Sequence, residues 1–144
     1  MVIERPEVYS KAYRWVSDEK TILSLVTANG VGTEVDVSQF RHVCAVVIGS
    51  TSPQLTVKCQ GSFKKIDEVD FSSSAGVTNP WDFIGMYDYQ NANIVIGDTG
   101  VVFTGTDDVR QFEINTNGIR AINFQVSGYV AGEVTVLLYG VNNQ

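Results

Sequence analysis

Cysteine, histidine and proline are all scarce in this 144-residue chain, with two, one and three residues respectively. Two cysteines cannot build a disulfide framework, and no second Cys/His pair accompanies them to complete a zinc site. The lone histidine, His42, sits inside a strand pattern. Serines such as Ser50 or Ser72 stand in no spacing motif with it, so a nucleophile and base pair is not encoded and His42 reads as structural. Long apolar runs are missing as well, the longest being VCAVVI, Val43 to Ile48. The opening MVIERPEVYS has neither the basic region nor the apolar core of a secretory signal. Neither a signal peptide nor a transmembrane span is expected, and synthesis in the cytoplasm is the simplest reading.

Basic residues are few and unevenly placed. The formal net charge is −6; residues 1 to 65 hold 8 Lys/Arg and 6 Asp/Glu, whereas residues 66 to 144 hold 2 and 10. An acidic C-terminal half repels phosphates, which excludes a basic nucleic-acid footprint. Acidic pairs occur at Asp67/Glu68/Asp70 and Asp107/Asp108, but the D-x-D-x-D-G spacing of a calcium loop does not. No phosphate-cradling loop is found. Catalytic residues, a cofactor and a metal are therefore not expected, nor is a nucleic-acid or membrane partner.

What is present favours strands. Thirteen glycines and abundant Val, Thr, Phe and Tyr suit strands and tight turns over helices. Short strands are expected at about 21–28, 33–37, 40–49, 54–60, 81–89, 92–96, 101–105, 109–115, 119–127 and 133–141, separated by turn signals such as Asn29-Gly30 and Asn117-Gly118. The stretch from Phe63 to Asn79 reads as a long surface loop from Ser72 onward. Because several strands are apolar on both faces, the expected fold is all-β: a two-sheet antiparallel β-sandwich of jelly-roll type with about 8–10 strands. A closed barrel is the alternative. Residues 21–144 form that domain. Residues 1–20 are either an extended arm or a short helix, since Tyr9, Tyr13 and Val16 follow helical spacing beside Trp15.

Two hairpins are expected to set the core. In GIRAINFQVSGYVAGEVTVLLYG, Gly118 to Gly140, pairing about Val130 joins Val126 with Val134, Phe124 with Val136, and Ile122 with Leu138. Leu137 and Tyr139 then lie on the outer face and call for cover by the N-terminal segment or a neighbouring protein. A second hairpin, turning at Thr51-Ser52, sets Ile48 opposite Leu55, Val46 opposite Val57, and Cys44 opposite Cys59, with both thiols buried. At Asn117-Gly118 the apolar sets Phe112/Ile114 and Ile122/Phe124 share even parity. Either an odd-length loop or a bulge intervenes, or the two strands belong to opposite sheets.

Trp81, Phe83, Tyr87 and Tyr89 make a one-sided stripe on a regular strand, interrupted at Gly85. Facing solvent, the stripe suits the apolar face of a sugar ring; facing inward, it is core or subunit contact.

The segment VRQFEINTNGIRAINFQVSGYVAGEVTVLLYG, Val109 to Gly140, resembles the C-terminal hairpin of small β-sandwich virion proteins of tailed bacteriophages. The pattern is carried by Gly118, Arg120, Ile122, Phe124, Val126, Ser127, Gly128, Tyr129, Gly132, Val134, Thr135 and Val136. LTVKCQGSFKKI, Leu55 to Ile66, is similar to an earlier strand of the same group, without the S-x-D-G-x-x-W that often follows there. The resemblance implies a non-enzymatic virion structural protein, a head decoration or cement protein with a fibre or tail accessory role next. Its partners would be the major capsid protein or other virion proteins, with a homo-oligomer, trimers favoured. The contact residues would be Tyr9, Tyr13, Trp15, Leu137 and Tyr139. A carbohydrate-binding sandwich using Trp81, Phe83, Tyr87 and Tyr89 is the other expectation.

Overall fold

Alternating apolar and polar residues draw most of the described residues into antiparallel strands. The structure, a computed structural model, describes residues 15 to 143. Its strands are β1 (Trp15–Val26), β2 (Gly30–Val31), β3 (Val35–Asp36), β4 (His42–Ser62), β5 (Asp82–Ile84), β6 (Met86–Asp88), β7 (Asn93–Val95), β8 (Val101–Thr104), β9 (Asp108–Ile114) and β10 (Ala121–Asn143). A single turn of 3-10 helix, Ile66–Glu68, interrupts the loop after β4.

Two long strands organise the rest. β4 and β10 pair antiparallel along almost their full lengths, from Ala121 opposite Ser62 to Val141 opposite His42. This ribbon is bent across its middle, so its halves belong to two layers. One layer is β1, the C-terminal half of β10, the N-terminal half of β4, β9, β6 and β7. The other joins β2 and β3 to the N-terminal half of β10, and the C-terminal half of β4 to β5 and β8. The expected all-β antiparallel sandwich is present, and the strand order by itself assigns no jelly-roll winding.

The core lies between the layers. Val43, Ala45 and Val47 from one half of β4 and Leu55, Val57 and Cys59 from the other are all buried. Ile122, Phe124, Val126, Val134, Val136 and Leu138 join them from β10, with Phe112, Ile114, Val101 and Phe103 from β9 and β8. Burying each large apolar side chain is worth about 1.5–3 kcal/mol, so this cluster is the main source of stability.

Both expected hairpins are absent, and the same physical feature replaces them. Thr51 and Ser52 have φ of 60° and 55°, and Gly128 and Gly132 have φ of 59° and 85°. These left-handed residues bend each strand without reversing it, and the bends face one another, with Ala131 opposite Gln54 and Glu133 opposite Ser50. Val126 therefore meets Val57, Phe124 meets Cys59, and Val134 meets Gly49. The inward face of the Gly118 to Gly140 stretch is as expected; the partners are not.

The thiol pair changes in the same way. Odd-numbered residues point inward in both halves of β4, so Cys59 is buried while Cys44 lies partly exposed on the outer face. Cys44 pairs with Tyr139 and Glu113 across the sheet, not with Cys59. At Asn117-Gly118 the expected alternative of opposite sheets is the one observed: Phe112 lies opposite Ala45 and Ile122 opposite Gly61.

β1 begins at Trp15, which pairs with Asn143, and Val16 pairs with Asn142. Helical spacing at Tyr9, Tyr13 and Val16 thus does not continue into a helix here, because the edge of β10 offers residues 15 to 20 a ladder of hydrogen bonds. Tyr9 and Tyr13 lie outside the described residues.

Candidate binding surfaces

Several of the polar side chains singled out in the sequence have structural partners. His42 Nδ1 lies 3.9 Å from Glu113 Oε2 on the protein surface. Asp107 accepts the backbone N–H of Ser52 at 2.8 Å and so pins the bend of β4. Asp108 accepts from the side chain of Gln90 and from the N–H of Val109. Asp70 accepts the hydroxyl and N–H of Ser72 and the hydroxyl of Ser73, which lower its pKa. Among the described residues, no three His, Cys, Asp or Glu side chains converge to hold a metal ion. No helix among them is long and apolar enough to cross a membrane.

Among the described residues, Asp88 and Arg110 form a deeply placed charge pair. Asp88 is buried at the end of β6 and bonds to Arg110, to the N–H of Gln90 and to Asn91. Burial pushes its carboxyl pKa up, but the N–H of Gln90, the Arg110 charge and Asn91 together outweigh burial and hold it below the usual value. Arg110 Nε is buried without a hydrogen-bond partner, while the guanidinium lies 5.6 Å from the centre of the Phe112 ring. An ion pair inside a fold fixes geometry more than it adds stability.

The four-ring stripe divides at Gly85. Trp81 and Phe83 contact each other edge to face at 5.1 Å, and Trp81 also lies 6.2 Å from Phe71. Trp81 Nε1 donates to the carbonyl of Ser73 at 3.0 Å, and Lys58 Nζ lies 4.8 Å from the Phe83 ring centre. This pair is thereby knitted to the 63 to 81 loop, whose Val69 and Phe71 are buried against Ala121. Phe63, 73% exposed, stands at the rim of a cleft of about 380 Å³ beside them.

Tyr87 and Tyr89 form a separate pair, 5.1 Å apart and nearly perpendicular at 82°. The Tyr89 hydroxyl donates to Glu113 Oε1 at 3.1 Å, and Tyr87 lies directly opposite Glu113 in the β6–β9 register. Burial and Glu113 both raise the Tyr89 pKa. A groove of about 460 Å³ opens there, lined by Arg41, His42, Tyr87, Glu113, Asn115 and Asn117 among others. Sequence spacing shows the two tyrosines alone. The polar residues arrive from β4, β9 and the turn after it, a juxtaposition set only by strand order.

The outer face of the first layer carries rows of apolar side chains. Val46 lies between Leu137 and Gln111, and Ile48 between Thr135 and Val109. Leu137 and Tyr139 are half-buried, as are Val46 and Ile48, and Val109 is 53% exposed. Tyr139 is steadied by a hydrogen bond to Glu19, which with partial desolvation raises its pKa. The backbone of Trp15 lies at the end of the same layer.

These features define a β-sandwich built on one bent two-stranded ribbon, with its polar and aromatic surface features on the outer faces. The same fold occurs in two proteins of prophage origin. The SPBc2 prophage-derived protein YomS superimposes with a TM-score of 0.63 at 17% identity, over 89% of this chain and 95% of YomS. The PBSX exported protein XepA gives a TM-score of 0.63 at 10% identity over 90% of this chain, which spans 39% of XepA. At such identities the likeness establishes the fold. No family model matches the sequence, and no curated protein matches it.

Proposed function

We propose that this protein is a non-enzymatic structural component of a tailed-phage virion, acting as a head decoration or cement protein. The observation that carries the proposal is a fold shared across about nine-tenths of the chain with two prophage-encoded proteins. The Val109 to Gly140 pattern points the same way. XepA is an exported protein, which is a property of that much longer chain and is not transferred here.

The apolar rows through Val46 and Ile48 supply the contact surface. Leu137 and Tyr139 lie at its centre, and Tyr9, Tyr13 and Trp15 belong to the segment that reaches a neighbour. A monomer that leaves such rows half-exposed gains by covering them, and a homo-oligomer, most simply a trimer at a capsid symmetry axis, repeats the contact. Several modest interfaces on one particle then bind effectively tightly.

Cosedimentation of the purified protein with empty capsids tests the proposal. Wild-type protein pellets with capsids in a saturable ratio; Leu137→Glu, which places a charge on the contact face, stays in the supernatant while keeping its fold. Removal of residues 1 to 14, which spares β1, also abolishes pelleting. A truncated chain that still assembles removes the arm from the proposal, and a wild-type protein that never pellets overturns the decoration role.

A further inference from the structure

The groove beside Glu113 borders the face assigned above to assembly, since Tyr139, Cys44 and Glu113 lie in one cross-strand row, and we propose that it binds a neutral glycan through Tyr87, Tyr89 and Glu113. A pyranose presents a patch of C–H groups on each face and a rim of hydroxyls that both donate and accept. A complementary site needs an aromatic ring for the face and planar polar groups in reach of the rim.

Both are assembled here. Two tyrosine rings at 5.1 Å and 82° offer a face beside an edge, and Tyr89 is 56% exposed. With Tyr87 in the groove stand one carboxylate, two amides, a guanidinium and an imidazole, on Glu113, Asn115, Asn117, Arg41 and His42, and Tyr89 joins them through its hydroxyl on Glu113. The Glu113 carboxylate is oriented before any ligand arrives, by the Tyr89 hydroxyl at 3.1 Å and His42 Nδ1 at 3.9 Å. Pre-oriented acceptors lose less entropy on binding. At about 460 Å³ the groove is within the usual size of ligand sites.

The same residues select among ligands. The Glu113 carboxylate, in a chain of net charge −6, opposes phosphate and uronate groups and offsets the attraction of the Arg41 guanidinium in the same groove. An apolar peptide would desolvate Glu113, Asn115 and Asn117 and offer them no hydrogen bonds in return. Neutral hydroxyl-rich sugars satisfy all of them. The Trp81/Phe83 pair is a poorer platform, because the Trp81 ring is packed beside Phe71 and Phe83 and its N–H is already committed to Ser73.

The test is a titration of the isotope-labelled full chain with cellohexaose, chitohexaose and maltohexaose, followed by amide NMR. Hexagalacturonate serves as the charged comparator. At least one neutral oligosaccharide gives saturable shifts confined to residues 41–42, 85–89 and 113–117. Tyr87→Ala weakens binding about tenfold or more, and so does Glu113→Gln, which preserves side-chain size and leaves the remaining spectrum unchanged. Phe63→Ala, at the rim of the other cleft, leaves binding intact. No saturable shift with any neutral sugar overturns the proposal, as do shifts centred on the Phe63 and Trp81 cleft, or tighter binding of hexagalacturonate. Because isolated protein is used, the result is independent of whether the chain binds capsids.

Discussion

Cys44 and Cys59 differ by one step of strand parity and so by environment. Burial pushes both thiol pKa values up, far more for the fully enclosed Cys59, while Glu113 adds a smaller push at Cys44. Thiolate is the reactive form, so neither reacts fast, but only Cys44 is open to reagent. Native protein treated with a chromogenic disulfide reagent at pH 8 is expected to release one equivalent slowly, and two in denaturant. Two equivalents from the native protein would contradict the assigned faces of β4. The Asp88–Arg110 pair gives a second residue-scale prediction. Asp88→Ala leaves a buried guanidinium uncompensated and should cost about 3–5 kcal/mol in denaturant unfolding.

The pH dependence follows from the same group. A carboxyl whose folded pKa lies below its unfolded value of about 3.9 stabilises the protein fully above that value. The contribution disappears as the pH falls through the folded pKa. Asp36, held by Ser38, and Asp70, held by Ser72 and Ser73, shift in the same direction. The unfolding temperature should therefore be level near neutrality and fall below about pH 4. Asp88→Asn should lower the plateau and flatten that acid slope; an unchanged slope would remove Asp88 as a source of it.

At the scale of elements, the bent β4–β10 ribbon is the feature on which both layers depend. Gly132 sits at the bend with φ of 85°, and a Cβ added there would lie 2.4 Å from Pro53 Cα. Gly132→Ala combines a disfavoured backbone with a backbone clash, and a loss of about 2–4 kcal/mol in chemical unfolding is expected. A loss smaller than that of an exposed strand substitution would show that the bend is not tightly packed. Tyr129 supports it by donating its hydroxyl to the Gly132 carbonyl at 2.8 Å, and its N–H to Asn29 at 2.9 Å.

The bend also explains what could be read in the sequence. Strand positions and the inward sets Ile122/Phe124/Val126 and Val134/Val136/Leu138 follow from period-two alternation, which is local. Partners do not, because left-handed residues at Thr51-Ser52 and Gly128/Gly132 suit a reversal and a bend equally. Only the rest of the sheet decides between them: β8, β9 and β1 need a long ladder to pair with. The Tyr87 and Tyr89 pair was legible as aromatics of one parity, whereas Glu113, Asn115 and Arg41 reach it from elsewhere in the chain. Trp81 carried no signal of its bond to Ser73, which lies in a loop without periodicity.

At the scale of the whole molecule, the sandwich has a mainly apolar interior, with Gln60, Asn123 and Asp88 also buried, and an outer face that is only half-covered. Val46, Ile48, Leu137 and Val109 contribute no catalytic chemistry, yet they lie side by side across β10, β4 and β9, with Thr21 of β1 beside Leu137. Such a face suits repeated lateral contact, and on a capsid the same small interface is multiplied by symmetry. The groove at Glu113 borders the Tyr139 end of this face, so a neighbour docked over Tyr139 comes close to Tyr87.

The account turns on whether the protein docks on assembled particles. The most direct measurement is its stoichiometry on empty capsids after sedimentation, read across increasing protein concentration. The account predicts saturation at a fixed number of copies per capsid, set by the symmetry sites, with loss of that plateau in Leu137→Glu. A chain that stays in the supernatant at every concentration, or pellets without saturating, would contradict it.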